Sequence, residues 1–167
     1  PTCQYGYIGP DAVRIAFIGD SHAEAFQPAL WPILNANKWA LTTYIGFQCI
    51  LAEPSVGGCD QALPKVKAAL VENPYDLLIV TNFDDGMSVD RYRAVWDPIL
   101  EAGGRIAVVR DNPPTTADAL ECLTRISIGG DKVSECGASR SEAFHNRESL
   151  PTAAAEVGAA LIDLTQY

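Results

Sequence analysis

The tetrapeptide Gly19-Asp20-Ser21-His22 stands directly behind a short apolar run, Val13–Ile18, and in front of a helical pattern. A serine at a strand-to-helix turn has its hydroxyl where first-turn N–H groups and the helix dipole favour developing negative charge, a setting that suits a nucleophile. The same position suits a helix cap, so the motif alone leaves both roles open. Further along, Gly46 follows a second β-rich run and can offer an N–H to an oxyanion, or simply make a turn. Asn82 follows a third run, where its amide can donate to an oxyanion or form an Asx-turn. Arg110 and Asn112 follow a fourth, as pocket or turn residues. Two histidines are present. His22 is next to Ser21, but successive helical side chains diverge by about 100°, which argues against direct contact and for a pocket or structural role. His145 reads as an exposed loop or helix residue.

These residues need elements to position them. The runs Val13–Ile18, Leu41–Ile45, Leu77–Thr81, Arg105–Val109 and Ala160–Leu164 read as strands, and Leu77–Thr81 is apolar enough for burial on both faces. Helical patterns cover Ala23–Asn35, interrupted by Pro28 and Pro32; Gln61–Glu72; Ser88–Ala102, with Ser88 as cap and Gly103 as stop; and part of Ser141–Gly158, with Pro151 as a break. The alternation predicts an α/β fold: a flavodoxin-like three-layer α/β/α domain with a mostly parallel central sheet of about five strands. Ligands of such sheets bind at the carboxyl ends of the strands, where Ser21, Gly46 and Asn82 fall. Residues 1–11 read as a linker entering a domain of residues 12–167. Asp111–Ser141 reads as a loop excursion.

Composition narrows the function classes. The 167 residues carry 12 Lys+Arg against 21 Asp+Glu, a net charge of −9, with 48% apolar residues. That is a folded globule rather than a disordered chain, and a poor nucleic-acid binder, since phosphate contact needs clustered Lys and Arg. No apolar run reaches the ~18–20 residues of a membrane span. A nucleotide-binding domain lacks its Gly-x-Gly-x-x-Gly or Walker loop here. No C-x-x-C and no suitable His spacing indicates a metal, and no cofactor is expected.

Ile18-Gly-Asp-Ser-His-Ala-Glu-Ala-Phe-Gln-Pro-Ala-Leu30 resembles the first block of the SGNH hydrolase superfamily. The His directly after the Ser is similar to the SGNH domains associated with acyltransferase-3 membrane proteins. Cys49 and Cys59, the segment PYDLLIVTNF, the strand GGRIAVV, Cys122 with Cys136, and AALIDLTQY follow in matching order over essentially the whole chain. The resemblance implies Ser21 as nucleophile, with its own N–H, Gly46 and Asn82 forming an oxyanion hole, although Asn82 departs from the Gly-x-Asn-Asp pattern. It implies Asp20 and His22 lining the pocket. The family's closing Asp-x-x-His has no counterpart, so the domain is expected to be C-terminally truncated, and this fragment to be inactive or weak, since a general base contributes about 10²–10⁴ in rate.

Five cysteines cannot all pair within one chain. Cys49–Cys59 and Cys122–Cys136 are the chosen local pairs, each stapling a short loop for about 3 kcal/mol, and Cys3 is left over. Disulfides imply an oxidising, extracytoplasmic compartment (periplasm or cell surface), as does the resemblance. The function implied is acyl transfer, most often of acetyl, to hydroxyls of cell-surface polysaccharide, or ester hydrolysis there. The donor would come through an acyltransferase-3 membrane domain preceding Pro1, and the acceptor would be a glycan. Tyr44, Phe47, Phe83 and Trp31 are aromatics available either to a sugar or to the core. The rival is a non-catalytic SGNH-like module that binds a glycan or partner in the same cleft.

Overall fold

The computed structural model describes residues 2–55, 59–129 and 136–166. Strands β1 (Cys3–Gly6), β2 (Val13–Gly19), β3 (Trp39–Ile45), β4 (Leu77–Thr81), β5 (Ile106–Val109) and β6 (Ala160–Ile162) form one sheet in the order β1-β3-β2-β4-β5-β6. β2 to β6 are mutually parallel, and β1 runs antiparallel along the outer edge of β3. The expected strands are all present, and the parallel five match the expected sheet. The sixth comes from the segment read as a linker. Cys3–Gly6 pair with Ala40–Thr43, so four of those eleven residues belong to the sheet. The short polar-aromatic stretch showed no apolar period; the open edge of β3 supplies its hydrogen bonds instead.

Period-two alternation assigns each strand's side chains to the two faces. Ile15, Phe17, Leu41 and Ile79 pack with Ala23 and Leu34 on one side. Ala16, Ile18, Leu78, Val80, Ile106 and Val108 pack on the other. The first side is covered by α1 (Ser21–Phe26) and α2 (Trp31–Leu34), joined by a 3-10 turn at Gln27–Leu30. Pro28 and Pro32 are the second residues of the turn and of α2, within the first turn where a missing N–H costs nothing, so the expected interruption is a clean division into three short pieces. The second side carries α3 (Leu63–Glu72), α4 (Val89–Glu101) and α7 (Ser149–Glu156). Tyr92 and Trp96 of α4 are fully buried there.

Three local expectations change. Ser88 occupies the cap position of α4 without making a side-chain cap bond. Pro151 lies in the first turn of α7 and starts the helix rather than breaking it. The Asp111–Ser141 excursion contains α5 (Ala117–Ser127), capped by Thr116 onto the Ala119 N–H, and the first two residues of α6 (Arg140–Ala143). Residues 130–135 of that excursion, with Gly130, lie outside the described residues. Cys49–Cys59 and Cys122–Cys136 are bonded as expected, with Cα atoms 5.4 and 5.3 Å apart, and Cys3 is exposed and unbridged. Among the described residues no helix is long and apolar enough to cross a membrane.

Past β6 the chain is tied back to β5 by charge. Asp163 accepts from the Thr165 N–H and hydroxyl and from Arg110, 2.9 Å away. Arg110 and Arg140 lie over the ring of Phe144 at 4.3 and 4.8 Å. The Thr165 hydrogen bonds, with help from Arg110, hold the Asp163 carboxyl down at about 2 against an ordinary 3.8. A carboxyl depressed on folding stabilises the fold above its ordinary value and loses that contribution as pH falls through the folded value. Denaturation midpoints should therefore drop between about pH 4 and pH 2, and Asp163→Asn should flatten this part of the profile. A profile unchanged by Asp163→Asn would show that the cluster does not support the fold.

Candidate functional site

Pairing of β2 ends at Gly19, opposite Ile45 of β3 and Thr81 of β4. One residue beyond stand Asp20, Gly46 and Asn82. β2 has β3 on one side and β4 on the other, so the chain changes direction across the sheet at this strand, and such a switch point leaves a crevice at the carboxyl ends. The sheet thus gathers the backbones of the three sequence-nominated segments. Gly19 is required there: a Cβ would lie 1.8 Å from the Thr81 carbonyl oxygen and 2.8 Å from the Ala23 Cβ.

Asp20, not Ser21, caps α1. It is 3% exposed, with Oδ1 accepting the His22 N–H at 2.9 Å and Oδ2 the Phe83 N–H at 3.0 Å. Asp20 is therefore closed off from solvent: a buried carboxylate needs donors, and the two loops provide them. Ser21 is the first residue inside the helix and is exposed. Neither its hydroxyl nor its N–H has a partner among the described residues. The capping role that competes with nucleophilicity is already filled.

His22 turns away from Ser21. Its Nδ1 is 2.6 Å from Asp111 Oδ1, and its ring meets Phe83 edge-on at 5.1 Å. An ionised carboxylate only accepts, so Nδ1 carries the proton. Asp111 is buried and also takes the Asn112 N–H at 2.9 Å and the Asp84 N–H at 3.1 Å. Asp84, 1% exposed, accepts from the Gly86 N–H, the Ser149 hydroxyl and the Leu150 N–H. Ser149 and Leu150 open α7, whose N-terminal N–H groups favour this negative charge. Arg147 donates to the Asp84 carbonyl at 2.7 Å and covers Phe83 at 4.4 Å.

The two expected oxyanion donors are committed elsewhere. The Gly46 N–H donates to the Gly19 carbonyl at 3.2 Å. Its lack of a side chain serves the disulfide, since a Cβ would lie 2.5 Å from Cys49 Sγ. Asn82 is fully buried, with Nδ2 donating to the Phe83 carbonyl at 2.9 Å and to the Tyr92 hydroxyl at 3.1 Å. Burial pushes the Tyr92 phenol well above its ordinary value, so it stays protonated. Sequence reasoning passed over Asp84 and Asp111. Their signal was an aspartate close behind β4 and β5, as Asp20 stands behind β2.

Of the nominated aromatics, Phe83 alone among the four touches His22. Tyr44 bonds to Tyr75, which with burial pushes its phenol up to about 12. Trp31 packs on Tyr5, and Phe47 is exposed. An apolar cavity of about 670 Å³ lies under Gly46, walled by Ile18, Tyr44, Ile50, Leu63 and Val66; Ser21 is not among its walls. His145 is exposed and Arg110 is bound to Asp163 and Glu148.

The fold is thus a six-stranded, mostly parallel α/β sheet with a serine at its switch point. The family model described as "SGNH domain (fused to AT3 domains)" matches residues 1–167, and the chain belongs to that family. Among solved structures, the periplasmic domain of a lipopolysaccharide acetyltransferase of Salmonella ser. Paratyphi A is similar in fold. It has a TM-score of 0.60 at 15% identity, over 95% of this chain and 69% of that one. No curated protein sequence matches.

Because the whole site hangs from the close approach of β2 to β4, Gly19→Ala should lower stability by about 1–3 kcal/mol or more in urea denaturation. A wild-type midpoint for Gly19→Ala would show that the β2–β4 contact at Gly19 is looser than described.

Proposed function

We propose that this domain carries acyl groups, most often acetyl, to or from hydroxyls of cell-surface glycans, on the extracytoplasmic side of the membrane. An AT3 membrane domain is the source of the acyl group, as family membership suggests. The lipopolysaccharide acetyltransferase neighbour supports a cell-envelope glycan as acceptor, and the two disulfides support an oxidising compartment. The observation that carries the reading is Ser21 itself. It is exposed at a helix start, free of the cap role, and flanked by Asp20 and His22, which are both locked in place.

In this mechanism Ser21 Oγ attacks the donor carbonyl, the donor's alcohol or thiol leaves, and an acyl-serine forms. A glycan hydroxyl or water then attacks the acyl-serine, and Ser21 is released. The Ser21 N–H is the oxyanion donor already free. Gly46 and Asn82 join it only by exchanging partners, Asn82 by turning from Tyr92. No residue among the 167 is assigned the role of base, because no Asp-x-x-His occurs in the sequence.

The commitment of Gly46 and Asn82 favours a second reading, a glycan-binding module without turnover. A fluorophosphonate probe separates the two. Enzymatic chemistry predicts labelling of Ser21 that Ser21→Ala abolishes. A folded protein that takes no label, or takes the same label after Ser21→Ala, would support the binding module.

A further inference from the structure

The His22–Asp111 pair does more than either reading has yet used. Its polar structural duty is confined to one ring nitrogen: Nδ1 donates to Asp111 and ties the start of α1 to the end of β5, across the end of β4. An asparagine amide could make that bond equally well. The other nitrogen, Nε2, has no partner among the described residues, and the His22 side chain is 34% exposed, so the open edge of the ring meets solvent. With Nδ1–H donating to Asp111, the neutral ring presents a lone pair at Nε2. The ring is already immobilised by Asp111 and by Phe83, which is itself covered by Arg147, so using it costs little ordering entropy.

We infer that His22 Nε2 is the hydrogen-bond acceptor that receives a hydroxyl of the glycan acceptor beside Ser21, with Asp111 as its positioning residue, and that the acceptor it receives is a neutral sugar. This rests on the proposed glycan chemistry of Ser21 but assigns a separate contact. Charge selects the neutral sugar. The loops around His22 carry Asp20, Asp84, Asp85 and Asp111. Of the nearby cations, Arg110 is paired with Asp163 and Glu148, which leaves Arg147, over Phe83, as a single positive charge against these four carboxylates. A uronic acid or sugar phosphate would bring further negative charge into this field, on a chain of net charge −9.

The experiment is a long-range ¹H–¹⁵N NMR titration of the His22 ring with methyl β-glucoside and, separately, glucuronate. Before titration the ring should show the Nδ1–H tautomer. The glucoside should shift Nε2 in wild type and in Ser21→Ala alike, and glucuronate should not. His22→Asn, which keeps a donor for Asp111 but loses the Phe83 ring contact, should remain folded and bind the glucoside about five- to tenfold more weakly, as loss of one hydrogen bond implies. An Nε2 signal unmoved by the glucoside, an equal response to glucuronate, or wild-type affinity in His22→Asn would overturn the inference. A failure of Ser21 to react with acylating probes leaves this readout intact, so the two proposals fail separately.

Discussion

Three carboxylates buried at the carboxyl ends of parallel strands must be given donors, and the rest of the site follows from how this is done. Asp20 behind β2 takes the N–H of Phe83 behind β4. Asp111 behind β5 takes the N–H of Asp84 and the imidazole N–H of His22. Asp84 in turn takes the hydroxyl and N–H at the start of α7. Each charge is satisfied by the loop next to it, so the loops after β2, β4 and β5 and the start of α7 form one linked chain. Removing any one carboxylate would leave at least two donors unpaired.

That network decides which groups remain for chemistry. With Asp20 as cap, the Ser21 hydroxyl and N–H are surplus to the fold. With Nδ1 of His22 committed, Nε2 is surplus too. By contrast, Gly46 and Asn82 are used up, one by the β2 carbonyl and the Cys49–Cys59 bridge, the other by Tyr92. The site is thus a floor of satisfied acceptors beneath two outward groups, and of the three donors proposed for an oxyanion only the Ser21 N–H is free.

Much of this was legible in the sequence. Strands β2 to β6 declared themselves as apolar runs with glycine or turn stops, and Gly-Asp-Ser-His behind β2 marked the switch point. The two disulfides were legible as local cysteine pairs. What stayed hidden depended on partners distant in the chain. β1 exists because β3 has an open edge. Asp20 and Ser21 are equally good caps on paper, and only the Phe83 N–H, 63 residues away, decides between them. Asp84 and Asp111 stand apart in the sequence until the sheet order brings their loops together. Asn82 was nominated by position, but position along a strand does not say whether an amide turns outward or towards a buried tyrosine.

The central claim is that Ser21 carries an acyl group. It is tested most directly by exposing the protein to p-nitrophenyl acetate, quenching in acid, and mapping acetylated peptides by mass spectrometry. The account predicts one acetyl ester on the peptide containing Ser21, absent from Ser21→Ala. Acetylation confined to lysines or the N-terminus, with the Ser21 peptide unmodified in folded protein, would contradict it.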